Sequence, residues 1–176
     1  DPRGGIYISK AEIENEHITE ILSFTRAADG GVFIIPNQPM FYFLTDRKSP
    51  SRFLYSNYAT TKEMEREQIE DLERGRVPYI VFFKGSAFTD WGTGRTFFDL
   101  TDLRSYIYSY YAVVDYHTTF YAGRDRMNTL ILNRVGADST GYGMLYLPAP
   151  DGWEPYLASE GVHERLKEEG LLDEMR

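Results

Sequence analysis

The sequence predicts an α/β protein: a layered sheet with mostly parallel central strands, helices packed on it, and an antiparallel hairpin towards the C-terminus. Short runs of β-branched and aromatic residues alternate with longer stretches in which apolar residues recur every three or four positions. Helical stretches separate the strands before residue 84, which predicts that those strands are mostly parallel. A glycine-containing turn at 123–125 lies between two later runs and predicts the antiparallel hairpin.

The first elements are a helix, a buried strand and a second, shorter helix. A capping-box pattern and a stripe of apolar residues predict a helix over 9–28. The run VFII at 32–35 stops at Pro36 and predicts a buried strand. A short apolar helix is predicted to start at Met40, because Pro39 suits the first turn of a helix. These elements form half of an α/β unit.

The rest of the predicted domain repeats this alternation. A second capping box opens a charged helix, and Pro78 stands at the entry of the most apolar strand. The predicted elements are a short strand at 52–56, the charged helix at 62–74, the strong strand at 77–83, a helix at 102–111, a short strand at 112–116, and a hairpin of 117–122 with 127–134.

The chain changes character after residue 135. Residues 136–155 are rich in Gly, Pro, Asp and Ser, and a charged helical segment follows at 158–175. We therefore predict an α/β domain at 1–135 and a Gly/Pro-rich segment with a charged helical tail at 136–176.

Composition excludes some classes of partner. The 176 residues carry a net charge of -8, which disfavours binding to nucleic acid, and we expect no nucleic-acid partner. The chain has no cysteine, so it forms no disulfide. No apolar run approaches the roughly 18–20 residues that span a bilayer. The sequence starts at Asp1 rather than at a methionine, and we expect a fragment of a longer protein; a processed mature chain is the alternative.

Short motifs follow one another along most of the predicted domain: RGGI at 3–6, IIPNQP at 34–39, YFLTDR at 42–47, PSR at 50–52, QIEDLE at 68–73, VPYIV at 77–81 and a tyrosine-rich helix at 106–111. In this order they resemble the soluble C-terminal domain of multi-spanning, C-type glycosyltransferases of the protein-mannosyltransferase and aminoarabinose-transferase kind. The resemblance covers residues 3–134, and the tail from residue 136 lies outside it.

The resemblance implies an extracytoplasmic, periplasmic domain of a multi-pass enzyme that moves a sugar from a polyprenyl-phosphate carrier to a protein, lipid or glycan acceptor. The acidic catalytic residue is expected in a loop of the membrane-embedded part, and no position here corresponds to that loop. The resemblance thus implies that this chain has no catalytic residue and no cofactor of its own. Its expected partner is the membrane-embedded part of the same protein, encoded before Asp1.

The turn after the short helix is basic in an otherwise acidic chain. Arg47, Lys48 and Arg52 lie within six positions, and guanidinium groups bind phosphate through paired donors. We hypothesise that these three residues contact carrier phosphate or lipid headgroups. The alternative is that Asp46 forms a salt bridge with Arg47 or Arg52 and only holds the loop.

A second candidate site lies at the end of the first strand. Asn37 and Gln38 follow that strand, where open α/β sheets often bind ligands, and we group Tyr42 with them as a ligand or acceptor contact. The alternative is hydrogen bonding within the loop.

The predicted helix at 102–111 carries a group of tyrosines: Tyr106, Tyr108, Tyr110 and Tyr111. They could stack on sugar or meet a partner, and core packing is expected to account for at least half of the group.

Two other functions stay open on the residues alone. One is a free-standing α/β protein that binds a small molecule or phosphate, and the other is a soluble hydrolase with an unrecognised site. Metal binding is not predicted, because His17, His117 and His163 share no ligand spacing.

Overall fold

A computed structural model describes residues 18–36, 38–84, 96–120, 126–136, 141–149 and 152–169. These residues form α-helices and strands in the order α1 Ile18–Ala27, β1 Val32–Ile35, α2 Met40–Thr45, α3 Lys62–Arg74, β2 Tyr79–Phe83, α4 Thr101–Tyr110, β3 Tyr111–Phe120, β4 Arg126–Arg134, β5 Tyr142–Ala149, β6 Gly152–Ser159 and α5 Glu160–Glu168. The mixed α/β class predicted from the sequence is confirmed.

One six-stranded sheet in the order β1-β2-β4-β3-β6-β5 runs through the described residues. β1 and β2 are parallel, as predicted for strands joined by helices, and β3 and β6 are also parallel. The pairs β2–β4, β4–β3 and β6–β5 are antiparallel. The prediction of mostly parallel central strands is therefore wrong.

The reason is the position of β3 and β4. They pair in antiparallel fashion, and β4 lies between β2 and β3 in the middle of the sheet. Leu130, Ile131 and Leu132 of β4 are all buried, as expected for a strand that is covered on both faces. The turn predicted at 123–125 lies outside the described residues.

The predicted division at residue 135 does not match the sheet. β5, β6 and α5 all come from the region predicted as a tail, and they share the main core with the earlier elements. Leu145 and Leu147 alternate with exposed neighbours, which is a strand period that the Gly and Pro content concealed. Pro148 is tolerated because β5 is the outermost strand.

Other boundaries also differ from the prediction. The helix predicted over 9–28 is described from Ile18 onwards, and the residues before it lie outside the described part. The strand predicted at 52–56 is absent from this described stretch, which instead ends in a 3-10 turn at Ser56–Tyr58. The two strands predicted at 112–116 and 117–122 form a single strand, β3, with an irregularity between Val113 and Asp115.

Helices cover the two faces of the sheet unequally. The main core lies between one face and the helices α3, α4 and α5, where Leu72, Leu103 and Val162 are buried. A smaller core packs α1 and α2 against β1 and β2 on the other face, through residues such as Ile21 and Phe41. The basic turn follows α2, so this smaller core positions it.

Candidate functional site

The short helix α2 is fixed to strand β1 by a tyrosine. The backbone N–H of Ile34 donates a hydrogen bond to the Tyr42 hydroxyl at 2.7 Å. Tyr42 is buried, and burial raises the pKa of its hydroxyl to about 12. Its ring and hydroxyl therefore serve mainly to hold α2 in place. The prediction that Tyr42 contacts a ligand stays untested, although Tyr42 is among the residues that line the depression described below.

Arg47 is engaged by the end of helix α1. Its guanidinium donates to the backbone carbonyls of Arg26, at 3.0 Å, and of Ala28 and Gly30. A cation at a helix C-terminus satisfies carbonyls that have no partner within the helix. Arg47 thus joins α1 to the basic turn, and fewer of its donors remain for phosphate.

Arg52 is paired with the charged helix α3. Its Nε and Nη2 donate to the two carboxylate oxygens of Glu67 at 2.6 and 2.8 Å. The hydrogen bonds from Arg52 hold the pKa of Glu67 below its usual range. Arg52 therefore anchors the end of the turn to α3 through Glu67, a pair that the sequence did not predict.

Lys48 differs from both arginines. It is exposed, and it makes no ion pair or hydrogen bond with the residues that the structure describes. Its neighbour Phe43 is 53% exposed, and Met40, one helical turn before Phe43, is also exposed. An open depression of about 520 Å³ lies beside them, lined by Tyr42, Phe43, Asp46, Arg47 and Lys48.

Of the two residues predicted as a site at the end of β1, the structure describes one. Asn37 lies outside the described residues. Gln38 is half-buried, and its carbonyl accepts a hydrogen bond from the N–H of Phe41 at 3.2 Å at the start of α2. The structure therefore does not bring Gln38 into the lining of the depression.

A second polar cluster, not predicted from the sequence, lies in the main core. Lys84 follows β2 and is 4% exposed, and its Nζ stands 5.4 Å from the centre of the Phe98 ring. Burial lowers the pKa of Lys84 to about 8, and the charge of Glu154 opposes this shift. The only sequence signal for it was a charged residue directly after a strongly apolar strand.

Glu154 is the acidic centre of this cluster. Its carboxylate lies 3.2 Å from Nη1 of Arg104 and accepts a hydrogen bond from the Tyr108 hydroxyl. The hydroxyls of Tyr108 and Tyr156 lie 3.1 Å apart, and burial raises the pKa of both. The cluster therefore holds its hydroxyls neutral and joins α4 to β6.

The tyrosines of α4 are mostly used for packing. Tyr106 donates to Glu73 at 2.7 Å, Tyr108 donates to Glu154, and Tyr111, at the start of β3, donates to the carbonyl of Val77 at 2.8 Å. Tyr110 is the exposed member of the group. Core packing thus accounts for more than half of the set, as expected.

Metal ligands do not converge in the described part of the chain. No group of three or more His, Asp or Glu side chains there is arranged to hold a metal ion. His117 lies 3.1 Å from Glu20 and 3.8 Å from Asp115, which makes an acidic surface cluster rather than a ligand set. None of the described helices is long and apolar enough to cross a bilayer.

Comparison of the chain with protein-family models, with curated proteins and with solved structures yielded no match.

Proposed function

We propose that this chain is the non-catalytic extracytoplasmic domain of a membrane glycosyltransferase, in which it positions the sugar carrier or the acceptor. The parent enzyme transfers a sugar from a polyprenyl-phosphate carrier, and the partner of this domain is the membrane-embedded part of the same protein. The motif order between residues 3 and 134 supports the family. The observation that carries the role is that Lys48 and the exposed ring of Phe43 line the same open depression.

A charged side chain and an apolar ring that lie side by side suit a membrane surface, which presents both phosphate and hydrocarbon. The Lys48 ammonium is a compact, strongly hydrated charge on a flexible stem, which allows it to reach a phosphate oxygen in water. Phe43 and Met40 offer apolar surface to a lipid chain a short distance away. Each basic residue near an anionic surface contributes about 1 kcal/mol. The site is therefore suited to weak, oriented contact rather than to tight capture.

The neighbouring arginines support this surface without being its main ligands. Arg47 bonds the start of the basic turn to the end of α1, and Arg52 bonds the end of the turn to Glu67 of α3. The phosphate-contact hypothesis, made from the sequence for Arg47, Lys48 and Arg52 alike, is thereby narrowed to Lys48 as the residue with its charge available.

The test uses the full-length transferase with a polyprenyl-phosphate-linked sugar. We expect Lys48→Glu combined with Phe43→Ser to lower transfer by about tenfold, a loss of about 1.4 kcal/mol. Lys167→Glu is the matched control, because it reverses an exposed lysine on α5, which packs over the opposite face of the sheet from α2. Unchanged transfer in the double variant would contradict the positioning role. Turnover by the isolated chain, or a coding sequence without apolar segments before Asp1, would contradict the parent family.

The same depression favours a second candidate, a free-standing protein that binds a small phosphorylated molecule. Its volume of about 520 Å³ and the exposed ammonium of Lys48 in its lining suit such a ligand. This candidate predicts saturable binding of a soluble phosphate ester by the isolated chain, abolished by Lys48→Glu. The first candidate predicts that such binding requires the lipid or the membrane part.

A further inference from the structure

The outermost pair of strands has one buried and one open face. In β5 and β6, Leu145, Leu147 and Tyr156 are at most 3% exposed and belong to the main core. Side chains alternate between the faces of a strand, so the residues between them point the other way. The inner face is held by α4, where Tyr108 packs edge-on against Tyr156 with ring centres 4.7 Å apart. The strand pair therefore cannot turn to bury its other face.

That outer face carries large aromatic and thioether side chains. Met144, Tyr146 and Trp153 are 50, 53 and 48% exposed. Tyr146 lies opposite Pro155, and Trp153 lies opposite Pro148, so the two aromatic residues are diagonal neighbours across the pair. Diagonal neighbours lie about 7–8 Å apart, within reach of aromatic side chains. They form two adjacent ring surfaces on a rigid support.

This outer face carries no Lys, Arg, Asp or Glu at the strand positions that form it. Those positions are 142, 144, 146 and 148 of β5, occupied by Tyr, Met, Tyr and Pro, and 153, 155, 157 and 159 of β6, occupied by Trp, Pro, Leu and Ser. Nucleic acid and anionic lipid require cations, and this face has none within a chain of net charge -8. A neutral ligand is the one that its charge complements.

The size of the face argues against a second protein molecule. An aromatic side chain buries about 150–250 Å² in full, so three half-exposed residues offer on the order of 300 Å². A stable protein interface needs about 800 Å² on each partner. A sugar ring is a better match, because one side of a pyranose is a patch of C–H groups that covers an aromatic ring while its hydroxyls stay in water.

We propose that the outer face of β5 and β6, carried by Tyr146 and Trp153, binds a neutral saccharide by stacking sugar rings on these two side chains. The indole N–H and the phenol hydroxyl provide polar groups at the rims of the rings, where the sugar hydroxyls lie. The inference does not depend on the function proposed for the basic turn, since the two sites share no residue.

The experiment follows tryptophan fluorescence in a Trp91→Phe background. The chain has two tryptophans, so Trp153 is then the sole reporter. The probes are mannohexaose, cellohexaose and maltohexaose, each titrated to millimolar concentration. We expect at least one of them to shift the Trp153 emission saturably, and we expect Tyr146→Ala to weaken that binding by at least about tenfold.

Tyr58→Ala is the matched control, because Tyr58 is similarly exposed but lies elsewhere on the chain. It should leave saccharide binding unchanged, and circular dichroism should show that both variants remain folded. Three results would overturn the proposal: an emission spectrum that none of the probes moves, a Tyr146→Ala variant that binds as well as its parent, or self-association in sedimentation that Tyr146→Ala abolishes, which would assign the face to a second copy.

Discussion

The carboxylate of Glu65 accepts a hydrogen bond from the backbone N–H of Asp102 at 2.9 Å and a longer one from Leu103 at 3.5 Å. Glu65 is completely buried, and these two N–H groups belong to the first turn of α4. A side chain of α3 thus caps another helix 37 residues further along the chain. The negative charge also matches the positive end of the α4 dipole.

We expect Glu65→Ala to lower the free energy of unfolding by about 2–3 kcal/mol, because it leaves buried backbone donors without an acceptor. Urea denaturation followed by circular dichroism measures this loss. Glu70→Ala removes an exposed carboxylate from the same helix and should change stability by less than about 0.5 kcal/mol. Equal losses in the two variants would show that Glu65 does not act as the cap.

The two arginines of the basic turn should differ in their contribution to stability. Arg47→Ala leaves the carbonyls of Arg26, Ala28 and Gly30 without their donor, and we expect a loss of about 2 kcal/mol. Arg52→Ala removes an ion pair whose side chains are 64% and 39% exposed, and because water screens such a pair we expect a smaller loss than for Arg47→Ala. Thermal denaturation of both variants at low and high salt provides the measurement. Addition of salt should reduce the loss of stability caused by Arg52→Ala. A larger loss for Arg52→Ala than for Arg47→Ala would contradict the roles given to the two arginines.

Tyr42→Phe removes only one oxygen atom from the α2–β1 contact. The Ile34 N–H then loses its acceptor in a buried position, and we expect a loss of about 1–2 kcal/mol in unfolding free energy. Tyr58→Phe, at an exposed ring, is the control and should be neutral. Amide hydrogen exchange at Ile34 should accelerate in the first variant alone; unchanged exchange there would argue against this hydrogen bond.

Lys84 should make stability depend on pH in the alkaline range. Its pKa is lowered to about 8 in the folded chain by burial, whereas the unfolded chain keeps the ordinary value of 10.5. Between these two pH values the unfolded state binds more protons, so folding stability rises as pH rises. We expect a gain of roughly 2–3 kcal/mol across this window, since each unit of pKa difference corresponds to about 1.4 kcal/mol.

Lys84→Met removes this titration and should flatten that rise. The measurement is a set of urea curves from pH 7.5 to 9.5, with Lys48→Met as a control that removes an exposed lysine. The control curve should run parallel to that of the unaltered chain. A Lys84→Met curve with the same slope as the unaltered chain would mean that burial does not perturb this lysine.

Local patterns were sufficient to predict the helices and strands that the structure describes before residue 84, although they also predicted a strand at 52–56 that does not form. The period of apolar residues located α1, α3 and β2, and the helices between β1 and β2 correctly predicted their parallel pairing. The insertion of β4 beside β2 could not be predicted, because it depends on contacts between strands distant in sequence. β5 and β6 were missed because Gly and Pro outweighed a weak alternation of apolar residues.

The candidate site was predictable in position but not in detail. The cluster of basic residues located the turn, yet nothing in the sequence distinguished the bonded guanidinium of Arg47 from the exposed ammonium of Lys48. The partners of the two arginines depend on where α1 ends and on where α3 places Glu67, and both are properties of the folded chain. Lys84 was missed because the depth of a residue after a strand is set by elements that come later.

The contact between Tyr42 and Ile34 has a further consequence for colloidal behaviour. β1 is an edge strand of the sheet, and the unpaired backbone N–H groups of edge strands can pair with another chain and start aggregation. The phenol oxygen occupies one of these amides from within the same molecule. The Tyr42 hydroxyl thereby protects part of the apolar edge strand β1 from pairing with another molecule, and it does so without adding net charge.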